Sequence, residues 1–162
     1  MHRKPNAIQR LLHRFLMLRP VSTILARLLH RADTTLMKLS GGKYTVTEIV
    51  GLPIIQLTTI GAKTGQPRSM PLVCLPDGDK IALIASNFGQ KHNPGWYYNL
   101  KANPACQVLV NGHPLHYVAR EVFDEEREIY WNMAVSYYAG YEKYKERASH
   151  RHIPVILLEP LK

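Results

Sequence analysis

Cysteine is scarce in this chain: only Cys74 and Cys106 occur among 162 residues. Both sit in apolar, strand-like runs, PLVCLP and ACQVLV. A disulfide scaffold is thereby excluded, and two reduced core thiols in a cytoplasmic compartment are expected. Acidic residues are missing from 1–32, where seven Arg or Lys stand before the first acid, Asp33. The net charge of +9 therefore belongs mainly to that segment, since 33–162 carry 14 basic against 12 acidic side chains. No apolar run approaches the ~20 residues of a membrane span. Arginines also break the apolar stretch that a signal peptide would need. Zinc-finger spacing and a basic stripe interleaved with aromatics are both lacking, so no nucleic-acid partner is expected.

Several chemistries are missing as well. There is no GxxxxGK[ST] phosphate loop and no GxSxG nucleophile elbow. The pairs His113-x-x-His116 and His150-x-His152 have no Cys or carboxylate set at metal spacing, so no metal is expected. The acids from Asp124 to Glu128 read as a solvated helix start that suits the helix dipole.

What the chain does have is enough apolar content, 46% against 20% charged, for one folded domain. Residues 1–32 form a basic amphipathic segment, with Ile8, Leu11, Leu12, Phe15 and Leu18 on one stripe at helical spacing and Pro20 marking a kink or a second helix. That helix suits packing on the domain, and it equally suits an anionic membrane surface. Residues 33–162 form the domain proper. Lys43–Val50, Ile54–Ile60, Met70–Leu75, Lys80–Ser86, Cys106–Val110, His116–Val122 and Pro154–Leu158 read as strands, mostly joined by hairpins. Asn93 and Pro94 have the residue types of a helix cap and first turn, and a second helix starts at Asp124 and breaks near Gly140. Six or seven mostly antiparallel strands with inserted helices predict an α+β, mainly β, small barrel rather than a doubly wound parallel sheet.

One stretch gathers polar chemistry: LTTIGAKTGQPRSMPL, residues 57–72. Gly61 and Gly65 permit a tight turn that puts Lys63, Thr64 and Arg68 within a few residues of one another. Two cations, a hydroxyl and backbone N–H groups suit a phosphate or carboxylate, although the same turn would serve as a plain solvent-facing hairpin. The loop at Ser86-Asn87 and the helix start after Asn93 add hydroxyl, amide and N–H donors. Trp96 suits either stacking on a flat ring or plain core packing.

These blocks, with IALIASNFG, HNPGWYYNLKANP, the tyrosines 138, 141 and 144, and the closing IPVILLEP, resemble the deazaflavin-dependent nitroreductase family. Its members are split β-barrel oxidoreductases that use the 8-hydroxy-5-deazaflavin coenzyme F420. The resemblance implies that Ala62, Lys63, Thr64 and Arg68 hold the cofactor's phosphate and acidic tail. It implies that Ser69, Met70, Pro71 and Leu72 run beside the ring, that Ala85, Ser86 and Asn87 line the ring edge, and that Gly95, Trp96, Tyr97 and Asn99 complete the groove. Hydride would pass to a conjugated acceptor (a quinone, enone or nitro compound) beside Tyr138, Tyr141 and Tyr144, with Tyr141 and Ser86 as the candidate catalytic groups. A quinone dissolved in the membrane would suit the basic helix. The same barrel type also accommodates FMN, and a non-catalytic, membrane-associated cofactor carrier would share these features. Departures are visible: Ala62 stands where relatives commonly carry a cation, Asn87 where some have lysine, and Met70 where a polar residue is frequent.

Overall fold

The computed structural model describes residues 52–110 and 113–161. The basic segment 1–32, the Gly41-Gly42 loop, the expected strand at 43–50 and the Gly112 turn lie outside the described residues. Among the described residues, seven strands and three α-helices follow one another in the order β1 (Ile54–Ile60), β2 (Pro67–Val73), β3 (Leu75–Asp77), β4 (Lys80–Ile84), α1 (Gly95–Ala102), β5 (Ala105–Val110), β6 (His113–Val122), α2 (Asp124–Tyr137), α3 (Gly140–Arg147) and β7 (Val155–Pro160). They form a single sheet in the order β2-β1-β5-β6-β7-β4-β3, with every pairing antiparallel. The two edge strands, β2 and β3, are adjacent in the chain and separated only by Cys74, so the sheet curls until its edges approach without pairing. The Cys74 N–H donates instead to the Pro53 carbonyl at 2.9 Å. This is the expected split barrel.

The burial pattern explains which runs looked continuously apolar. In β1 only alternate residues, Ile55, Leu57 and Thr59, are buried, as for a strand with one covered face. In β4 and β7 both faces are covered. Ile81, Leu83, Ile156 and Leu158 point into the barrel with Leu57, Val108, Trp96 and Leu100. Ala82, Ile84, Val155 and Leu157 point the other way, under Trp131 and Ala134 of α2 and Tyr141 and Tyr144 of α3. Two cores thus share one sheet. Tyr130 Oη, donating to Asp77 at 2.9 Å, ties α2 to β3, and Trp131 Nε1, donating to Glu142 at 2.8 Å, ties α2 to α3. Burial pushes the Cys74 and Cys106 thiols up to about 12, so both stay protonated and inert.

Several boundaries differ from the sequence reading. The expected strand at 70–75 begins earlier, at Pro67, and is interrupted at Cys74. Its two prolines are tolerated because β2 is an edge strand whose outer side needs no donors. The β6 strand starts at His113 rather than His116. Asn93 does not cap α1: Pro94 is the capping residue, with extended backbone, and its carbonyl accepts from the Tyr97 N–H at 3.1 Å. The Asn93 side chain is engaged by Arg151. Finally, the expected exposed loop from Ser86 starts buried, with Ser86 only 7% exposed.

Candidate functional site

The turn after β1 closes on itself. Gly61 N–H donates to the Gln66 carbonyl at 2.9 Å, and the Gly61 carbonyl accepts from Gly65 at 2.8 Å and from Thr64 at 3.2 Å. Gly65 takes φ +65°, the left-handed region that glycine enters without penalty. Ala62, Lys63, Thr64 and Arg68 are all exposed along this turn and the first residues of β2. Among the described residues neither Lys63 nor Arg68 forms an ion pair, so two cations face solvent from a backbone that is already fixed. Ser69, the next residue of β2, pairs its hydroxyl with Thr58 across the ladder at 2.7 Å. Met70 and Leu72 lean on the barrel core.

Asn99 is what joins this turn to α1. Its Oδ1 accepts from the Ala62 N–H at 3.0 Å, and its Nδ2 donates to Thr59 Oγ1 at 3.0 Å. Thr59 is 1% exposed, so the amide answers a hydroxyl in the core with one end and sets the turn with the other. Asn99 thus acts on the turn's geometry, whereas Trp96, Tyr97 and Leu100 of α1 point inward. Trp96 and Tyr97 are buried in the barrel core, and the Tyr97 hydroxyl donates to Glu121 on β6 at 3.1 Å. Gly95 is exposed at the helix start.

The second half of the site is built on β4 and α3. Ala85 is fully buried at the end of β4, and Ser86 follows with both backbone groups committed. Its N–H donates to the Ile84 carbonyl at 2.8 Å, and its carbonyl accepts from Gly89 at 2.9 Å and from Arg151 at 2.7 Å. Its hydroxyl has no hydrogen-bond partner among the described residues. Asn87, Phe88 and Gly89 then form a single tight turn with φ of +48°, +56° and +75°. Two consecutive non-glycine residues in that region cost about 1–3 kcal/mol each, and such strain persists only where packing enforces it. Here α3 enforces it. Phe88 meets Tyr144 edge-on with ring centroids 5.8 Å apart, and a Cβ on Gly89 would come within 2.7 Å of Arg147 Cβ. The serine and the tyrosines therefore belong to one packed body.

Tyr138, at the end of α2, and Tyr141 and Tyr144, on α3, are 5%, 6% and 5% exposed. Their rings pack in mutual edge-on or tilted contacts with centroids near 6 Å, and Tyr138 Oη lies 3.3 Å from Tyr144 Oη. Burial raises the pKa of all three phenols, with the neighbouring tyrosines adding to the shift at Tyr141 and Tyr144. The sign is clear: at neutral pH each is a protonated hydrogen-bond donor, never a phenolate base. The Tyr141 hydroxyl has no partner among the described residues.

The structure thus joins Ala62 to Asn99, and the Ser86 loop to Tyr144. One participant had no sequence signal at all. Arg151, between α3 and β7, reaches Ser86, Gln90 and Asn93. Its partners lie some sixty positions away in the chain, beyond any local pattern.

Curled sheet, inserted helices and helix-backed turns define a split β-barrel reductase fold. The family model for the F420H(2)-dependent quinone reductases matches residues 29–160. The chain belongs to that family. An F420H(2)-dependent quinone reductase of Mycobacterium tuberculosis is 38% identical over 109 residues, covering 65% of this chain and 72% of that protein. Among solved structures, an F420-H2 dependent reductase (FDR-A) superposes with a TM-score of 0.60 at 41% identity, over 66% of this chain and 94% of that one. A structure described as a domain-swapped dimer gives 0.62 at 35% identity, over 86% and 96%.

Proposed function

We propose that this protein is an oxidoreductase that binds reduced coenzyme F420 and passes its hydride to a quinone. Family membership gives the class of reaction. The observation that carries the reading to this chain's own residues is the pair of exposed, unpaired cations, Lys63 and Arg68, on a turn whose backbone is fixed from within and by Asn99. That donor set fits a ligand with an acidic tail. When bound, the reduced deazaflavin supplies a hydride and a proton, so that a quinone leaves as its hydroquinone and the cofactor leaves oxidised.

The chain's own contributions are binding, orientation and hydrogen bonding to the acceptor. Lys63 and Arg68 hold the tail, with the Thr64 hydroxyl beside them. Met70, Pro71 and Leu72 would offer an apolar edge to the ring, and the Ser86 hydroxyl would lie at its edge, with Ala85 packed behind it in the core. Ser86 Oγ and Tyr141 Oη, two buried hydroxyls with no partner among the described residues, donate to the acceptor's carbonyl oxygen as it takes on negative charge. Tyr138 and Tyr144 wall the acceptor with ring surface. Apolar contacts of this kind would separate related quinones only weakly, by ~1–3 kcal/mol per methylene.

The test is a pair of fluorescence titrations of the full-length protein, one with oxidised F420 and one with FMN. F420 is expected to bind at least tenfold more tightly, because FMN lacks the extended acidic tail that the turn is suited to hold. Equal or tighter binding of FMN would refute the assignment.

A further inference from the structure

Arg151 has an unusual set of partners. Its Nη2 donates to the Ser86 carbonyl at 2.7 Å, its Nε to the Gln90 carbonyl at 3.0 Å, and its Nη1 both to Asn93 Oδ1 and to the His152 carbonyl at 3.1 Å. All four acceptors are neutral. Bonds from an ionised donor are roughly twice as strong as neutral ones, so one guanidinium binds three parts of the 86–93 segment more firmly than turns usually bind themselves. Partial burial lowers the Arg151 pKa, although arginine remains charged at any physiological pH. The neighbouring contacts are weaker: Asn87 Nδ2 donates to the His92 carbonyl at 2.8 Å, and the His150 ring lies 3.2 Å from the Lys91 carbonyl.

The two ends of what Arg151 holds are informative. One is the Ser86 carbonyl, on the residue whose hydroxyl has no partner among the described residues. The other is Asn93, two residues before the first turn of α1, the helix that carries Asn99 to the cation-bearing turn. We propose that Arg151 is a positioning residue for hydride transfer, setting the Ser86 hydroxyl and the start of α1 at a fixed spacing around the reacting ring. The inference rests on the functional reading above, in which Ser86 faces the acceptor. Lysine cannot substitute, because a point charge on a flexible stem cannot span acceptors that a planar fork reaches together.

The experiment uses full-length Arg151→Lys, Ser86→Ala and the double variant. Three quantities are read: F420 affinity by titration, kcat and KM with 2-methyl-1,4-naphthoquinone, and hydrogen exchange at residues 87–93. Arg151→Lys is expected to bind F420 within threefold of wild type, because Lys63 and Arg68 are untouched. Its kcat falls at least tenfold with KM within threefold, and its 87–93 amides exchange at least tenfold faster. Because the arginine acts through the serine, the double variant loses no more kcat than the worse single variant. A kcat within twofold of wild type, or multiplicative losses in the double variant, would overturn the proposal. If Arg151→Lys no longer unfolds cooperatively, Arg151→Gln is read in the same cycle with the same limits. A wild type that binds F420 without reducing the quinone refutes the functional reading instead. In that case the exchange rates alone judge whether Arg151 holds the loop, and unchanged rates reject it.

Discussion

Replacing Lys63 and Arg68 together with alanine is expected to raise the dissociation constant for F420 at least a hundredfold. A charge-assisted hydrogen bond contributes about 1.5–3 kcal/mol where water is excluded. Both side chains are exposed, so the lower end applies, and about 1.4 kcal/mol for each gives a factor of ten apiece. Arg68→Ala alone should therefore weaken binding about tenfold. The fold should not suffer, because the turn is held by backbone bonds among Gly61, Thr64, Gly65 and Gln66 and by the Asn99 amide, none of which involves either cation. Ala62 makes the dependence sharper, because the position between Gly61 and Lys63 adds a methyl group and no charge. The loss should also shrink as salt is added, since exposed charges are screened over ~8 Å at physiological ionic strength. Titration at low and high salt, with thermal unfolding as the control for folding, checks all of this. A dissociation constant within threefold of wild type would show that the tail lies elsewhere.

Gly140→Ala is expected to destabilise the protein by about 1–3 kcal/mol. It should also reduce kcat with a quinone at least tenfold, leaving F420 binding within threefold. Helix propensity argues the other way, because alanine in place of a helical glycine is worth up to ~1 kcal/mol. Packing decides the sign: a Cβ on Gly140 would come within 2.1 Å of the Tyr138 ring edge. The ring must leave a site where it is 5% exposed and paired with Tyr144. Moving a buried aromatic into water forfeits about 1.5–3 kcal/mol, more than the helix gains. Under the proposed function the displaced ring also leaves the wall of the acceptor site, so catalysis is expected to fall while binding of the tail at the 61–68 turn is not. Tyr138→Ala supplies the check, because in that background Gly140→Ala should cost nothing further or stabilise. A Gly140→Ala protein as stable and as active as wild type would mean that Tyr138 does not lie against α3.

Much of this site was legible in the chain because its signals are local. The glycines and cations of the 61–68 turn are neighbours in sequence, and the apolar runs of β1, β4 and β7 mark themselves as strands. Tyr141 and Tyr144 share a helix face through their spacing of three. What stayed hidden depends on distant partners. Asn93 has the side chain of a helix cap, but Arg151, 58 residues further on, engages it, and Pro94 takes the capping place. Pro67 and Pro71 look like strand breakers, and become acceptable only once β2 is known to be a sheet edge. Ser86 sits among polar loop residues, yet it is buried because β4 delivers it under α3. The role of Asn99 could be assigned to the groove by resemblance, but its bond to the Ala62 N–H follows only from the packing of α1 on β1.

The most direct test of the account is anaerobic mixing of the protein with reduced F420 and 2-methyl-1,4-naphthoquinone, following the absorbance of the oxidised cofactor. The account predicts oxidation at a rate proportional to protein concentration, with one cofactor oxidised for each quinone reduced. Reduced cofactor that binds but persists in the presence of excess quinone, or oxidation no faster than without protein, would contradict it.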